Sequence, residues 1–247
     1  MTDAGSKGAA GAVVLAGGKG TRLWPYTAVL PKPLMPLADM PVLELVLRQL
    51  HFRGIDRVVL AVNHLHHLVK SFFGQGDRLG IEIIYSIEDE PMGTAAPLAP
   101  ILDLLQDDFL ILNGDLLTDF DFSLLLKSHV ARGADLTVAT QKRKFQVEFG
   151  VINRDESERI TGIAEKPSVD HWVAMGIYAA NRKAIERFLP KQQYVDMPTV
   201  IQGMISDGGR VFAHHQDCIW LDIGRPEDYA AAQTMFEQDR SRFLPPS

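Results

Sequence analysis

The chain has 247 residues, 46% of them apolar and 23% charged, with 25 basic against 31 acidic side chains and a net charge of −6. That balance excludes a disordered or fibrous chain, and it disfavours a general nucleic-acid binder, which needs a basic face to neutralise phosphates. Cys218 is the single cysteine, so an intramolecular disulfide and a zinc site built on several thiolates are excluded too.

Residues 1–10 lack the apolar core of a signal peptide and read as a flexible leader. No apolar run reaches the ~18 residues needed to span a bilayer, so no membrane partner is expected and the cytoplasm is the default location. Residues 12–16 form a short apolar run that reads as a buried strand. It leads straight into the glycine-rich loop Gly17-Gly18-Lys19-Gly20-Thr21-Arg22. Pro25, Pro31, Pro33, Pro36 and Pro41 then forbid regular structure, so residues 24–40 are an irregular excursion. Residues 42–52 carry Val42, Val46 and Leu50 beside Leu43 and Leu47 on one face, with Glu44 and Arg48 as an i,i+4 pair, and read as a helix.

Strands are expected at 56–62, 81–86, 109–115 and 134–140, with helices at 64–73, from about Thr94, and at 121–132. This alternation predicts an α/β protein with a doubly wound, mostly parallel sheet. Ligands in such sheets bind beyond the carboxyl ends of the strands, where both the glycine loop and Asn113-Gly114-Asp115 fall. After 145 the rhythm changes to short strands without helices between them, which predicts a small antiparallel addition. Helices at 181–188 and 198–206, two further strand-like segments and a last helix from Pro226 follow. No linker or repeat interrupts the chain, so 11–239 reads as one domain and 240–247 as a tail.

The glycine loop fits neither of two common phosphate motifs. Leu23 stands where G-x-G-x-x-G needs its third glycine, and Lys19 is followed by Gly20 where a Walker loop needs Ser or Thr. Glycines still let backbone N–H groups approach phosphate oxygens, and Arg22 just beyond them suits a fork onto phosphates. The plain alternative is a tight turn beside a surface arginine.

The longer string decides between the two. L-A-G-G-K-G-T-R-L-W-P, followed by P-K-P-L-M-P, resembles the N-terminal motif of the sugar-nucleotide pyrophosphorylases. Gly18, Gly20, Thr21, Arg22, Pro25, Pro31, Lys32, Pro33 and Pro36 fit it. Matches at N-G-D (113–115), F-G-V (149–151), E-K-P (165–167) and W-L-D-I-G (220–224) follow in family order, so the resemblance covers about residues 11–235.

The resemblance implies a Rossmann-like nucleotidyltransferase fold with an antiparallel sugar-binding part. It also implies a reaction in which an NTP and a sugar-1-phosphate give an NDP-sugar and pyrophosphate. By the same resemblance Asp115 and Asp222 hold Mg²⁺ (or Mn²⁺), and Arg22, Lys32 and Lys166 are the catalytic cations. Leu15, Ala16, Gly17, Gly18, Gly20, Thr21, Gly93 and Asn113 line the nucleotide, and Gly150, Glu165, Val173 and Gly176 the sugar. The chemistry suits these residue types. A phosphate monoester is largely ionised at neutral pH, with a second pKa near ~6. No general base is required, and the work is to align and neutralise two polyanions.

The segment E-D-E-P-M-G-T-A (88–95) is similar to the E-x-E-P-L-G-T-A-G of mannose-1-phosphate guanylyltransferases, with Ala96 in place of the usual glycine. Guanine presents N1–H and N2–H₂ side by side, which a carboxylate of Glu88 or Glu90 accepts together. Uracil and thymine flank one donor with two carbonyls that repel it. That favours GTP, and the resemblance to guanylyltransferases implies mannose-1-phosphate or a manno-configured heptose-1-phosphate as the sugar substrate. Two alternatives stay open: a uridylyl-, thymidylyl- or cytidylyltransferase on another hexose-1-phosphate, and a non-catalytic nucleotide-sugar-binding subunit. Small molecules are the expected partners, with a homodimer allowed.

Other conspicuous residues have plain readings. His64, His66 and His67 belong on the surface where a strand enters a helix, and His214 and His215 point to opposite faces of a strand. Trp24 and Trp220 read as packing walls, and Met175, Met197 and Met204 as core.

Overall fold

The structure, a computed structural model, describes residues 8–88, 90–190 and 193–244. Residues 1–7 of the expected leader lie outside that range, and Ala10 already opens a strand. A parallel strand covered on both faces must be apolar throughout, and β1 (Ala10–Leu15) is buried from Ala10 to Val14. The proline-rich excursion winds through three 3-10 turns and a miniature hairpin of β2 (Pro36–Leu37) and β3 (Met40–Pro41). Trp24 is 71% exposed there, so it is not the wall expected of it. α1 (Val42–Phe52) buries the face read from the sequence.

β4 (Arg57–Val62), α2 (His66–Phe73) and β5 (Glu82–Ile87) continue the alternation. The helix expected from Thr94 is instead a 3-10 stretch over Ala96–Leu104, because Pro100 removes an interior N–H that an α-helix would need. β6 (Leu105–Asn113), β7 (Leu116–Thr118) and α3 (Phe122–Ala131) follow. α3 begins where the Asp121 carboxylate accepts the N–H groups of Ser123 and Leu124.

The antiparallel part comprises β8 (Leu136–Gln146), β9 (Val151–Arg154), β10 (Ile160–Ala164) and β11 (Ser168–Asn181). After it come α4 (Arg182–Glu186), α5 (Met197–Ser206), β12 (Val211–His215), β13 (Trp220–Asp222), α6 (Pro226–Gln238) and α7 (Arg240–Phe243).

Seven strands form the central sheet in the order β12-β8-β11-β6-β1-β4-β5. All its pairs are parallel except those of β11, which runs antiparallel to both β6 and β8. From β1 the chain winds outward to β4 and β5, then returns to β6 on the other side of β1. Strand order therefore reverses between β1 and β6, and a crevice opens beyond their carboxyl ends. Leu15 and Asn113 are paired neighbours at that edge.

β8 and β11 run on past the sheet as a two-stranded ribbon, pairing 140–146 with 168–174, and β9–β10 forms a separate hairpin. Alternate residues of β1 feed two cores, Ala12 and Val14 on one face of the sheet and Val13 on the other. Met175, Met197 and Met204 are buried as expected, and His64 and His67 are exposed. A third core unites Leu23, Ile223, Phe236 and Phe243. Residues 240–243, expected to begin a tail, are thus part of the fold. Among the described residues no helix is long and apolar enough to cross a membrane.

Candidate active site

Two adjoining cavities of about 260 and 300 Å³ share Leu15, Gly18 and Asp115 at the β1/β6 crevice. The first is walled by Ala16, Gly20, Thr21, Arg22 and Lys32. The loop there is tied to itself: Thr27 donates its hydroxyl to the Gly20 carbonyl at 2.8 Å, and Leu23 donates its N–H to the same oxygen. Lys32, 11% exposed in its side chain, donates to Asp115 Oδ2 and lies 3.8 Å from Asp222 Oδ1. Arg22 closes the same corner, where a Cβ on Gly224 would stand 3.4 Å from its guanidinium.

A short ladder makes the two carboxylates neighbours. β13 pairs antiparallel with β7, Asp222 opposite Leu116, and Ile223 donates its N–H to the Asp115 carbonyl at 3.1 Å. Burial and the facing Asp115 raise the pKa of Asp222, against the opposing pull of Lys32 and Arg22. Asp115 Oδ1 is buried and, among the described residues, has no hydrogen-bond partner. A hard oxygen left free while its twin is occupied, with a second carboxylate alongside, fits a divalent cation that takes one or two carboxylates plus substrate phosphates. Asp115 and Asp222 are the residues that would hold it.

The second cavity is lined by Gly17, Glu88, Gly93, Thr94, Asn113, Tyr194 and Asp196, among others. Glu88 is anchored by its N–H to the Val62 carbonyl at the end of β4, which turns its side chain over Gly17. A Cβ on Gly17 would lie 3.3 Å from Glu88 Oε2 and 3.3 Å from Asn63 Cβ. Burial pushes the Glu88 carboxyl up to about 7. Glu90, the other candidate base acceptor, is exposed and lines neither cavity. β5 ends at Ile87; the bond to Val62 holds Glu88 at its end over Gly17, while Glu90 lies at a bend beyond it. Asp89 lies outside the described residues.

Gly93 has φ +97°, and a Cβ there would lie 2.4 Å from the Val195 carbonyl, so glycine is required. The contact is one part of a clamp. Thr94 donates its N–H to Asp196 at 2.9 Å, Tyr194 donates its hydroxyl to the other oxygen at 2.7 Å, and Met197 donates its N–H to the Thr94 hydroxyl. Burial alone would raise Asp196, but these bonds hold it below the usual carboxylate range.

The sugar-side candidates gather more loosely. Gly176, with φ +71°, packs so closely on Asn113 that a Cβ would lie 2.4 Å from its amide nitrogen. Gly150 faces Glu165, whose Oε2 would be 3.1 Å from a Cβ. Val173 is half-buried on the ribbon, opposite Gln141. Lys166 is exposed in the turn from β10 to β11, with a left-handed φ of 42°. Lys166, Glu165, Gly150, Val173 and Gly176 line neither cavity.

Sequence reading missed Thr94, Tyr194 and Asp196, which line the second cavity, and Asn63, which sits against Gly17. Asn63 carried a signal, an Asn at a strand's end just before the histidines. Tyr194 and Asp196 lie a hundred residues from Gly93 in sequence and carried none.

A glycine-rich loop, two cations and two carboxylates meet at the reversal of a mostly parallel sheet. Residues 11–239 match the model of the nucleotidyl transferase family, and the chain belongs to that family. Over 224 residues it is 34% identical to a mannose-1-phosphate guanylyltransferase of Mycobacterium tuberculosis, covering 88% of this chain and 62% of that protein. A UTP–glucose-1-phosphate uridylyltransferase of Synechocystis is 32% identical over 237 residues, 88% of this chain and 61% of that one. The chain thus spans about three fifths of the length of these curated relatives. The fold matches HddC from Yersinia pseudotuberculosis complexed with GMP-PN, with a TM-score of 0.71 at 23% identity over 91% of this chain and 98% of that one.

Proposed function

We propose that this chain transfers a nucleotidyl group from an NTP to a sugar-1-phosphate, releasing pyrophosphate. The observation that carries the reading is the corner where Lys32 sits between Asp115 and Asp222, with Arg22 beside them and the glycine loop above. An oxygen of the sugar phosphate attacks the α-phosphorus, and the bond from that phosphorus to the bridging oxygen of the β-phosphate breaks. Loop N–H groups and Arg22 hold the triphosphate. Lys32 stands where charge gathers at the α-phosphate, and Lys166, on the ribbon turn, is the candidate for the incoming phosphate. Asp115 and Asp222 would hold Mg²⁺, or Mn²⁺, which would supply charge neutralisation on the phosphates. No protein base is needed, since the nucleophile is already ionised.

For the base we favour guanine. Glu88 alone among the candidate acceptors lines the second cavity, and an ionised carboxylate pairs with the two donors of guanine. The curated relatives include mannose-1-phosphate guanylyltransferases, which makes a manno-configured sugar phosphate the first choice. A second reading has its own support. With its pKa near 7, Glu88 in its protonated form offers a donor to a uracil carbonyl, and a uridylyltransferase also matches. A cytoplasmic setting goes with the supply of nucleoside triphosphates.

The test is pyrophosphate release with Mg²⁺ and mannose-1-phosphate across GTP, UTP, dTTP, CTP and ATP. Preference for GTP is expected. Turnover with UTP or dTTP alone would overturn the guanine assignment. No release with any nucleotide, across a panel of sugar phosphates including heptose-1-phosphate, would overturn the enzyme reading in favour of a non-catalytic binding subunit.

A further inference from the structure

The segment that delivers Asp222 is held by side chains rather than by a sheet. Between β12 and β13, residues 216–219 belong to no strand, yet their backbone is gripped from two sides. From β7, Thr118 donates its hydroxyl to the Ile219 carbonyl at 2.6 Å, and Asp119 accepts the Ile219 N–H at 2.7 Å. From β8, Gln141 donates its amide to the Cys218 carbonyl at 3.0 Å, and Arg143 donates to the Trp220 carbonyl at 3.1 Å. Arg143 also lies over the Trp220 ring, 4.5 Å from its centroid. Trp220 in turn donates its indole N–H to the Met175 carbonyl at 2.9 Å, beside Gly176.

Gln141 and Arg143 are two residues apart on β8, so both project to one face of the ribbon. Their partners on β11 are Val173 and His171. The strand pair that carries the sugar-side candidates therefore grips the segment that ends in Asp222, at two successive same-face positions. The contacts thus run without a break from the ribbon through Cys218 and Trp220 to β13, whose ladder with β7 sets Asp222 beside Asp115.

We propose that Arg143, assisted by Gln141, is a positioning residue that couples occupancy of the sugar side to occupancy of the cation corner. The inference rests on the nucleotidyl-transfer reading above. Arg143 touches neither substrate nor the reacting atoms; it acts through Trp220. Coupling of this kind is reciprocal, so each ligand strengthens binding of the other by one factor.

The experiment is calorimetric binding of GDP-mannose to the full chain, with and without saturating Mg²⁺. Mg²⁺ is expected to tighten binding to the unmodified protein. In Arg143→Ala that tightening factor is expected to fall about 5-fold or more, with binding in the absence of Mg²⁺ nearly unchanged. Arg143→Lys, which keeps a cation over the ring but loses the fork, is expected to restore part of the factor. An unchanged factor in Arg143→Ala overturns the proposal. So does an equal loss of binding with and without Mg²⁺, which is the mark of a merely structural role. If Arg143→Ala does not fold, Gln141→Leu removes one bond of the grip and is held to the same criteria. Failure of the unmodified protein to bind GDP-mannose, UDP-glucose or dTDP-glucose would overturn the functional reading and this inference with it.

Discussion

Lys32 lies between two carboxylates that would otherwise repel each other, so neither can be removed without changing the charge the other meets. Asp115→Asn replaces one carboxylate of the proposed cation site by a neutral amide. Turnover is expected to fall about 10²-fold or more, since each ~1.4 kcal/mol lost from transition-state stabilisation is tenfold. Nucleotide binding without metal should survive. A steady-state assay beside a fluorescence binding titration measures both, and unchanged turnover would remove Asp115 from the site. Glu88 makes a different prediction. Its pKa is raised from 4.5 to about 7, so between those values the folded chain holds a proton that the unfolded chain has lost. Its contribution to stability therefore falls as pH rises through that window, and Glu88→Gln should flatten this part of a denaturation-versus-pH curve. Guanine binding favours the ionised form, so GTP should release protons on binding below pH 7. Calorimetry in buffers of differing ionisation heat reads that release; UTP bound through the protonated form would show none. The residues of the glycine loop were legible because they are contiguous, and spacing carries the chemistry. Glu88 and Glu90 were not separable in sequence, because what distinguishes them is where β5 ends and the bond from Glu88 N–H to Val62 on β4.

Elements position these residues through a few close approaches. Gly93 is pressed on the Val195 carbonyl while Thr94 and Tyr194 hold Asp196, so one loop and the entry to α5 form a single wall. Gly93→Ala puts a Cβ into that carbonyl at a left-handed φ. It is expected to cost roughly 1–3 kcal/mol and to raise the KM for nucleotide more than that for sugar phosphate. Thermal melts and paired KM values check this, and equal shifts in both would mean that the clamp does not bound the nucleotide. The α/β alternation was legible from apolar periodicity. Two departures have local causes: Pro100 turns an expected α-helix into a 3-10 stretch, and β8 and β11 outrun their apolar halves because they pair with each other beyond the sheet. The 194–196 wall was illegible, since nothing in Tyr194-Val195-Asp196 says that a loop a hundred residues earlier will dock on it.

The whole molecule is closed by its last helices. Phe243 is 1% exposed and its ring centroid lies 6.1 Å from that of Phe236, while Gln49 of α1 donates to the Phe243 carbonyl at 2.7 Å. Phe243→Ala is expected to destabilise the fold by about 3–5 kcal/mol, read as a lower midpoint in denaturant. A loss under ~1 kcal/mol would mean that residues 240–243 behave as part of the tail expected over 240–247. Leu23 and Ile223 share this core, so the loss should reach the loops that carry Arg22 and Asp222.

The pairing of Leu15 with Asn113, and of the Asp115 loop with Ile223, also fixes when the site comes into being. A ribosome that has made β1, β4 and β5 has released a sheet lacking its central neighbour. One that has passed β6 to residue 115 has a crevice with one of the two carboxylates proposed to hold the cation. Only when residue 222 has emerged and paired with β7 does the second arrive. Contacts between such distant parts of a chain form slowly. Nucleotide affinity should therefore be acquired late in synthesis, and a ligand added to a refolding chain should stabilise the product without hastening the steps that precede it.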